Sequence, residues 1–164
     1  MRGKGQGSLE YLFMIAAALV IIFVVVHYLG ESSRGASEQS QVASLQARTE
    51  LAKSSLQAKG VWNDEHCFYI LSTSYAQDKV GSEYGISIKD KGPNGECNQN
   101  DKVLYYVDYS GSEYRDEIKA LYDNDNYKLK TLKELYDLCF ANDEKACKII
   151  IALGESLWVQ HGQS

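Results

Sequence analysis

Leu12-Phe13-Met14-Ile15-Ala16-Ala17-Ala18-Leu19-Val20-Ile21-Ile22-Phe23-Val24-Val25-Val26 is an unbroken apolar run, and nothing later in the chain resembles it. With its flanks, residues 11–29, it forms a helix of about 1.5 Å per residue that crosses or nearly crosses a bilayer. Burying its side chains is worth on the order of 20 kcal/mol gross, so it does not stay in water. Arg2 and Lys4 precede it, which leaves the N-terminus cytoplasmic and sends the rest of the chain outward.

Such a run has three fates: a secretory signal cut off behind it, a permanent signal-anchor, or a stem kept after a cut in front of it. A secretory peptidase needs small residues at the first and third positions before its cut. Tyr28-Leu29-Gly30 and Arg34-Gly35-Ala36 fit that badly, and Ser33-Arg34-Gly35 only marginally. Upstream the chain reads Lys4-Gly5-Gln6-Gly7-Ser8-Leu9-Glu10-Tyr11-Leu12. Gly5 and Gly7 let an extended backbone lie in a protease cleft. Ser8 suits a helix N-cap, and Glu10 in the first turn meets the positive end of the helix dipole.

This stretch closely resembles the class III signal peptide of archaeal type IV pilins: a basic residue and Gly, then Gln-x-Ser-x-Glu-Tyr-Leu running into an apolar helix. Lys4, Gly5, Gln6, Ser8, Glu10, Tyr11 and Leu12 fill every specified position. The resemblance covers the leader and apolar run only. It implies a non-enzymatic filament subunit without cofactor, cut by a membrane-embedded prepilin peptidase between Gly5 and Gln6. An assembly ATPase and a membrane platform protein then extract the stem, which polymerises with copies of itself or with other pilins. The protein is single-pass in the cell membrane before assembly and part of an extracellular filament afterwards, serving adhesion or cell contact. The resemblance also implies that Glu10 pairs with the amino group of a neighbouring subunit, because a buried carboxylate is costly unless paired. If Gln6 cyclises to a neutral lactam, Glu10 takes a donor such as Ser8 or Tyr11 of a neighbour instead. Ala16, Ala17 and Ala18 allow close helix approach at subunit contacts. The alternative, a single-pass signal-anchored extracellular binding domain that keeps residues 1–5, stays open.

Beyond residue 29 the chain turns polar but stays helix-friendly. Val42, Leu45, Thr49, Ala52 and Leu56 recur at spacings of three and four and mark one apolar face. Gly60 is a plausible stop. A single helix over 8–59 has a weak joint at Gly30-Glu31-Ser32-Ser33-Arg34-Gly35, where low propensity predicts a continuous but bendable stretch. The expected organisation is a cleaved leader (1–5), a hydrophobic stem helix (6–29), its amphipathic continuation (30–60) and a globular extracellular head (61–164), the lollipop shape the resemblance implies.

The fold class expected is α+β, with the long helix followed by a small antiparallel sheet and C-terminal helices. Strands are expected from His66 to about Tyr75, over 84–89, where Ile86 and Ile88 share a side, and over 103–109. Helices are expected from Ser112 to about Tyr122, from Asp125 or Asn126 to about Phe140 with Leu129 inward, and after Asn142-Asp143 through Leu157 and Trp158. So helical a C-terminal half departs from the β-rich heads common among archaeal pilins. Four cysteines beyond a membrane-targeting segment favour disulfides in an oxidising exterior. Of three possible pairings, Cys67–Cys97 and Cys139–Cys147 each close a local loop and are preferred.

Net charge is −5, and loss of the leader with Arg2 and Lys4 takes it to −7. No cluster of Lys and Arg tracks phosphates, so nucleic acid is not an expected partner. Asp123-Asn124-Asp125-Asn126 resembles part of a calcium loop, but Lys128 stands where that loop needs Gly, and a turn is the better reading. His27, His66 and His161 form no metal or catalytic motif, so no metal is expected. Among 12 tyrosines, Tyr105, Tyr106, Tyr109 and Tyr114 divide between packing and display; core and rim is the plainer reading, subunit contact or adhesion the sharper one. There is no Asn-x-Ser/Thr acceptor.

Overall fold

The computed structural model describes residues 6–156 and 158–161, leaving aside the side chains of 6, 29–37 and 158–161. The chain divides into two compact units, Met1–Gln41 and Val42–Ser164. A single helix, α1 (Gln6–Ala58), contributes to both and runs as helix through 30–35 without a break. It stops where the glycine rule places the stop, with Gly60 in the left-handed region at φ 72.

In the second unit, the three-four spacing on α1 is the face that packs. Thr49 and Leu56 are sealed, Ala52 is buried, and Leu45 lies against the same core. The sheet is fully antiparallel, in the order β4-β1-β2-β3-β5. Its strands are β1 (Cys67–Ile70), β2 (Gly85–Lys89), β3 (Val103–Asp108), β4 (Lys130–Thr131) and β5 (Trp158–His161). Phe68, Ile70, Ile86, Ile88 and Val107 point from one face into a core shared with α1, α4 (Leu132–Phe140) and α5 (Glu144–Glu155). The alternation that places Ile86 and Ile88 together is the period-two pleat. The α+β class with a long N-terminal apolar helix is therefore what the chain forms.

Gly154 explains how close α5 comes to α1. A Cβ at Gly154 would lie 2.5 Å from the Cβ and 2.6 Å from the Cα of Ala52, so only a glycine opposite an alanine permits this crossing. The helix starts are chemically explicit. Thr131 and Glu134 form a reciprocal capping box, 3.1 Å and 2.7 Å, and Asp143 accepts from the amides of Lys145 and Ala146.

Four expectations need correction. The first strand ends at Ile70, and Thr73–Val80 is a helix, α2, closed by Gly81 in the left-handed region. The helix expected from Ser112 shrinks to α3 (Arg115–Lys119), because Ser112 spends its hydroxyl on a turn, accepting from the Tyr114 amide. No helix starts at Asp125 or Asn126: Asn124 Oδ1 accepts from the Asn126 amide, Leu129 turns left-handed at φ 55, and the helix waits for the cap at Thr131. The last helix stops at Glu155, and Trp158 opens β5 opposite Asp108 instead of extending it; Leu157 lies outside the described residues.

Candidate assembly segment and head surface

Within the first unit, Gly7–Tyr28 is 22 residues long and long and apolar enough to cross a membrane, and none of it is buried. Leucine, isoleucine, valine and phenylalanine side chains stand exposed on every side of it. A helix apolar all round belongs in a surround of lipid or of other helices. Ser8, Glu10, Tyr11 and Leu12 occupy its first turns, all exposed. Ala16, Ala17 and Ala18 are consecutive and, at about 100° per residue, thin the helix over more than half its circumference. His27 stacks on Phe23 one turn away, with ring centroids 6.2 Å apart. Lys4 and Gly5, the residues before the expected cut, lie outside the described residues, as does the side chain of Gln6.

In the second unit, α1 is built on the opposite plan. Its described cations and Glu50 turn back onto the head. Arg48 donates to the Tyr114 hydroxyl at 2.7 Å and pairs with Glu113 at 2.6 Å and Glu155 at 2.8 Å. These bonds raise the Arg48 pKa, and the Arg48 hydrogen bond holds the Glu113 carboxyl below its ordinary value. Glu50 accepts from the Tyr136 hydroxyl, which pushes that phenol up to about 12. The Lys53 ammonium lies 4.1 Å from the Tyr136 ring centroid and 5.4 Å from that of Trp62. Lys59 donates to the Ser156 carbonyl at 3.0 Å. The outward positions Ser44, Ala47, Leu51, Ser54 and Ala58 are exposed and uncharged.

Two disulfides staple this unit. Cys67 is joined to Cys97 across 30 residues, tying the start of β1 to the loop after β2. Cys139 is joined to Cys147 across 8 residues, tying α4 to α5. His66 places its ring Nδ1 3.1 Å from the Val61 carbonyl, a structural contact. No group of three or more His, Cys, Asp or Glu is placed to hold a metal among the described residues. The Asp123–Asn126 stretch is a turn, and Tyr127 behind it donates to both oxygens of Asp143, at 2.9 and 2.7 Å.

The tyrosines follow the core-and-rim reading for the most part. Tyr109 and Tyr127 are buried, and burial raises both phenols well above their ordinary range. Three others, Tyr69, Tyr75 and Tyr106, gather on the sheet face opposite the core, bordered by Tyr122, which also packs against the core. Tyr69, Ser87 and Tyr106 are cross-strand partners on β1, β2 and β3. Tyr122 meets Tyr69 edge-on and Tyr75 meets Tyr106 edge-on, each with centroids 6.4 Å apart. The Tyr75 and Tyr106 hydroxyls are 3.2 Å apart, and burial followed by this bond pushes Tyr106 up to about 12. One pleat along β2, Lys89 is buried beneath the loop that carries Cys97; it donates to the Gln99 carbonyl, and desolvation lowers its pKa. The sequence reading missed Ser87 and Lys89. Ile86-Ser87-Ile88-Lys89 reads as an ordinary half-exposed strand, and the covers come from the segments on either side of it: α2 packs on Gly85, and the 90–101 loop folds over Lys89. The available signal was the cysteine at 67, which the register sets beside Lys89.

The chain matches the family described as Class III signal peptide over residues 4–29. No curated protein and no solved structure matches the chain.

Proposed function

We infer that this chain, whose class III signal peptide marks it as a prepilin-like secreted or pilus-associated protein, is a structural subunit of an archaeal type IV pilus-like filament. The observation that carries the reading is the pairing of that signal with a helix bare and apolar on every side over Gly7–Tyr28. Before assembly the segment is soaked in lipid; in the filament, neighbouring stems replace the lipid. A prepilin peptidase cuts between Gly5 and Gln6, so the apolar helix is kept and only the basic leader is lost. Ala16, Ala17 and Ala18 let neighbouring backbones approach, and Glu10 finds a donor on a neighbouring copy. The head, with its own core and two disulfides, is displayed outside the cell, where it serves adhesion or cell contact. The head's role is structural, not enzymatic.

N-terminal sequencing of the native protein tests the reading. A start at Gln6 in material recovered from purified filaments is the expected result, and substitution of Gly5 by Phe is expected to leave the leader attached. A native protein that retains Arg2 and stays in the detergent phase is instead a signal-anchored binding domain. Turnover of a substrate by the head would call for a third reading.

A further inference from the structure

The outward face of the sheet carries an aromatic row whose Tyr122 end packs against the core. Tyr69 and Tyr106 stand on β1 and β3 with Ser87 between them on β2, extended at the two ends by Tyr122 and Tyr75. Ser87 is 0% exposed, and its hydroxyl is the one buried side-chain oxygen or nitrogen without a hydrogen-bond partner among the described residues. Buried hydroxyls are almost always paired, so an orphan at the centre of an aromatic row marks a place where a polar group is missing. Tyr75 is 45% exposed and the other three rings are half-buried, so the rings reach solvent while Ser87 between them does not.

Charge and dimension narrow the ligand. The three lysines that lie over these rings are answered locally: Lys79 by Asp78 at 2.9 Å, Lys128 by Asp125 at 3.6 Å, and Lys89 by the Gln99 carbonyl. The row therefore offers rings and hydroxyl groups, with two of its three cations paired to carboxylates and the third buried on a carbonyl, which disfavours a strongly ionic partner. Tyr69 and Tyr106 are two strand spacings apart, about 10 Å, close to the advance of two rings in an extended pyranose chain. Tyrosine supplies a stacking face with a hydrogen-bonding tip, the combination that a sugar's C–H face and hydroxyl rim require.

We propose that the row Tyr122, Tyr69, Ser87, Tyr106 and Tyr75 is a platform for an uncharged, extended polysaccharide. Alternate rings of the glycan stack on Tyr69 and Tyr106, and one of its hydroxyls pairs with Ser87 Oγ once the groups that bury it move aside. This gives the adhesion reading a ligand class and rests on it only for its use by the cell; binding itself does not need assembly.

Full-length protein in detergent micelles is mixed with cellulose powder, chitin powder and polystyrene beads, with cellohexaose and chitohexaose as soluble competitors. The expected result is retention on at least one glycan, displacement by its own hexamer, and little retention on polystyrene. Tyr69→Ala and Tyr106→Ala are each expected to weaken retention tenfold or more, and Ser87→Ala several-fold. Because those rings also touch the fold, Tyr75→Ala, at the exposed end of the row, is the control least able to disturb folding; several-fold weakening is expected with an unchanged unfolding midpoint. No retention on either glycan overturns the proposal. Equal retention on polystyrene, the mark of a sticky protein-contact surface, also overturns it, as does retention indifferent to Tyr75→Ala and Ser87→Ala. Filaments that form normally while glycan retention fails leave the assembly reading standing; retention by protein that never assembles leaves the platform standing.

Discussion

Residues 7–28 and 42–58 are stretches of the same helix, yet they solve opposite problems. The first is apolar on all sides and exposed along its length. The second is apolar on one face, which it buries, and its charges are consumed by Tyr114, Tyr136, Glu113 and Glu155. Helix propensity does not separate the two. What differs is the surround each was composed for: an apolar one such as lipid for the first, the chain's own core for the second. A residue type therefore has a different energetic meaning on either side of the joint.

The largest expected effect tests whether the second stretch belongs to a stapled body that the first does not share. Replacing Cys67 and Cys97 together by alanine should destabilise the head by about 4 kcal/mol, because the bond closes 30 residues. Replacing Cys139 and Cys147 should cost nearer 3 kcal/mol, because that loop spans 8. Denaturant unfolding in detergent, followed by tryptophan fluorescence, reads both, and the opposite order would count against loop closure as the cause.

A sharper test uses one residue type twice. Leu56 is 1% exposed and Leu19 is 60% exposed on the same helix. Leu56→Ala should lower head stability by about 3 kcal/mol, in the range for a fully buried leucine. Leu19→Ala should leave the head transition where it was, and any effect should appear in membrane retention or filament yield. Equal effects of the two on the head would erase the distinction.

The smallest effect is electrostatic. Glu113 is held below its ordinary pKa, first by its hydrogen bond to Arg48 and then by Tyr114. A depressed carboxylate contributes stability above its unfolded pKa, and that contribution is lost as pH falls through the folded value. Stability should therefore fall slightly more between neutral and acid pH in the parent than in Glu113→Gln. Both partners are substantially exposed, so the difference should be small and should shrink further with added salt.

The long helix was legible because its signals are local. The apolar run, the spacing of Val42, Leu45, Thr49, Ala52 and Leu56, and the glycine at 60 each act within a few turns. The three main strands were legible for the same reason, from β-rich runs such as Val103-Leu104-Tyr105-Tyr106-Val107. Some of what escaped turns on local turn bonds, as at Ser112 and Asn124, and the rest on partners distant in sequence. Trp158 becomes strand because β3 offers an edge opposite Asp108, and nothing near Trp158 says so. Lys130–Thr131 is too short for any periodicity and exists by pairing with Cys67 and Phe68. Gly154 reads as a helix weakness until Ala52 is set against it. Lys4, by contrast, carries its meaning in sequence, as the first residue of the stretch matched by the Class III signal peptide family.

The Cys139–Cys147 bond brackets the turn between α4 and α5, where residues 140–142, 144 and 145 are exposed. Outside a cell, that turn is where a protease would nick the chain. A break at any peptide bond between the two cysteines leaves the halves covalently attached, with both helices still seated in the core. Damage of this kind would go unseen on a non-reducing gel and show as two fragments only once thiol is added. The staple thus lets a nicked chain stay in one piece.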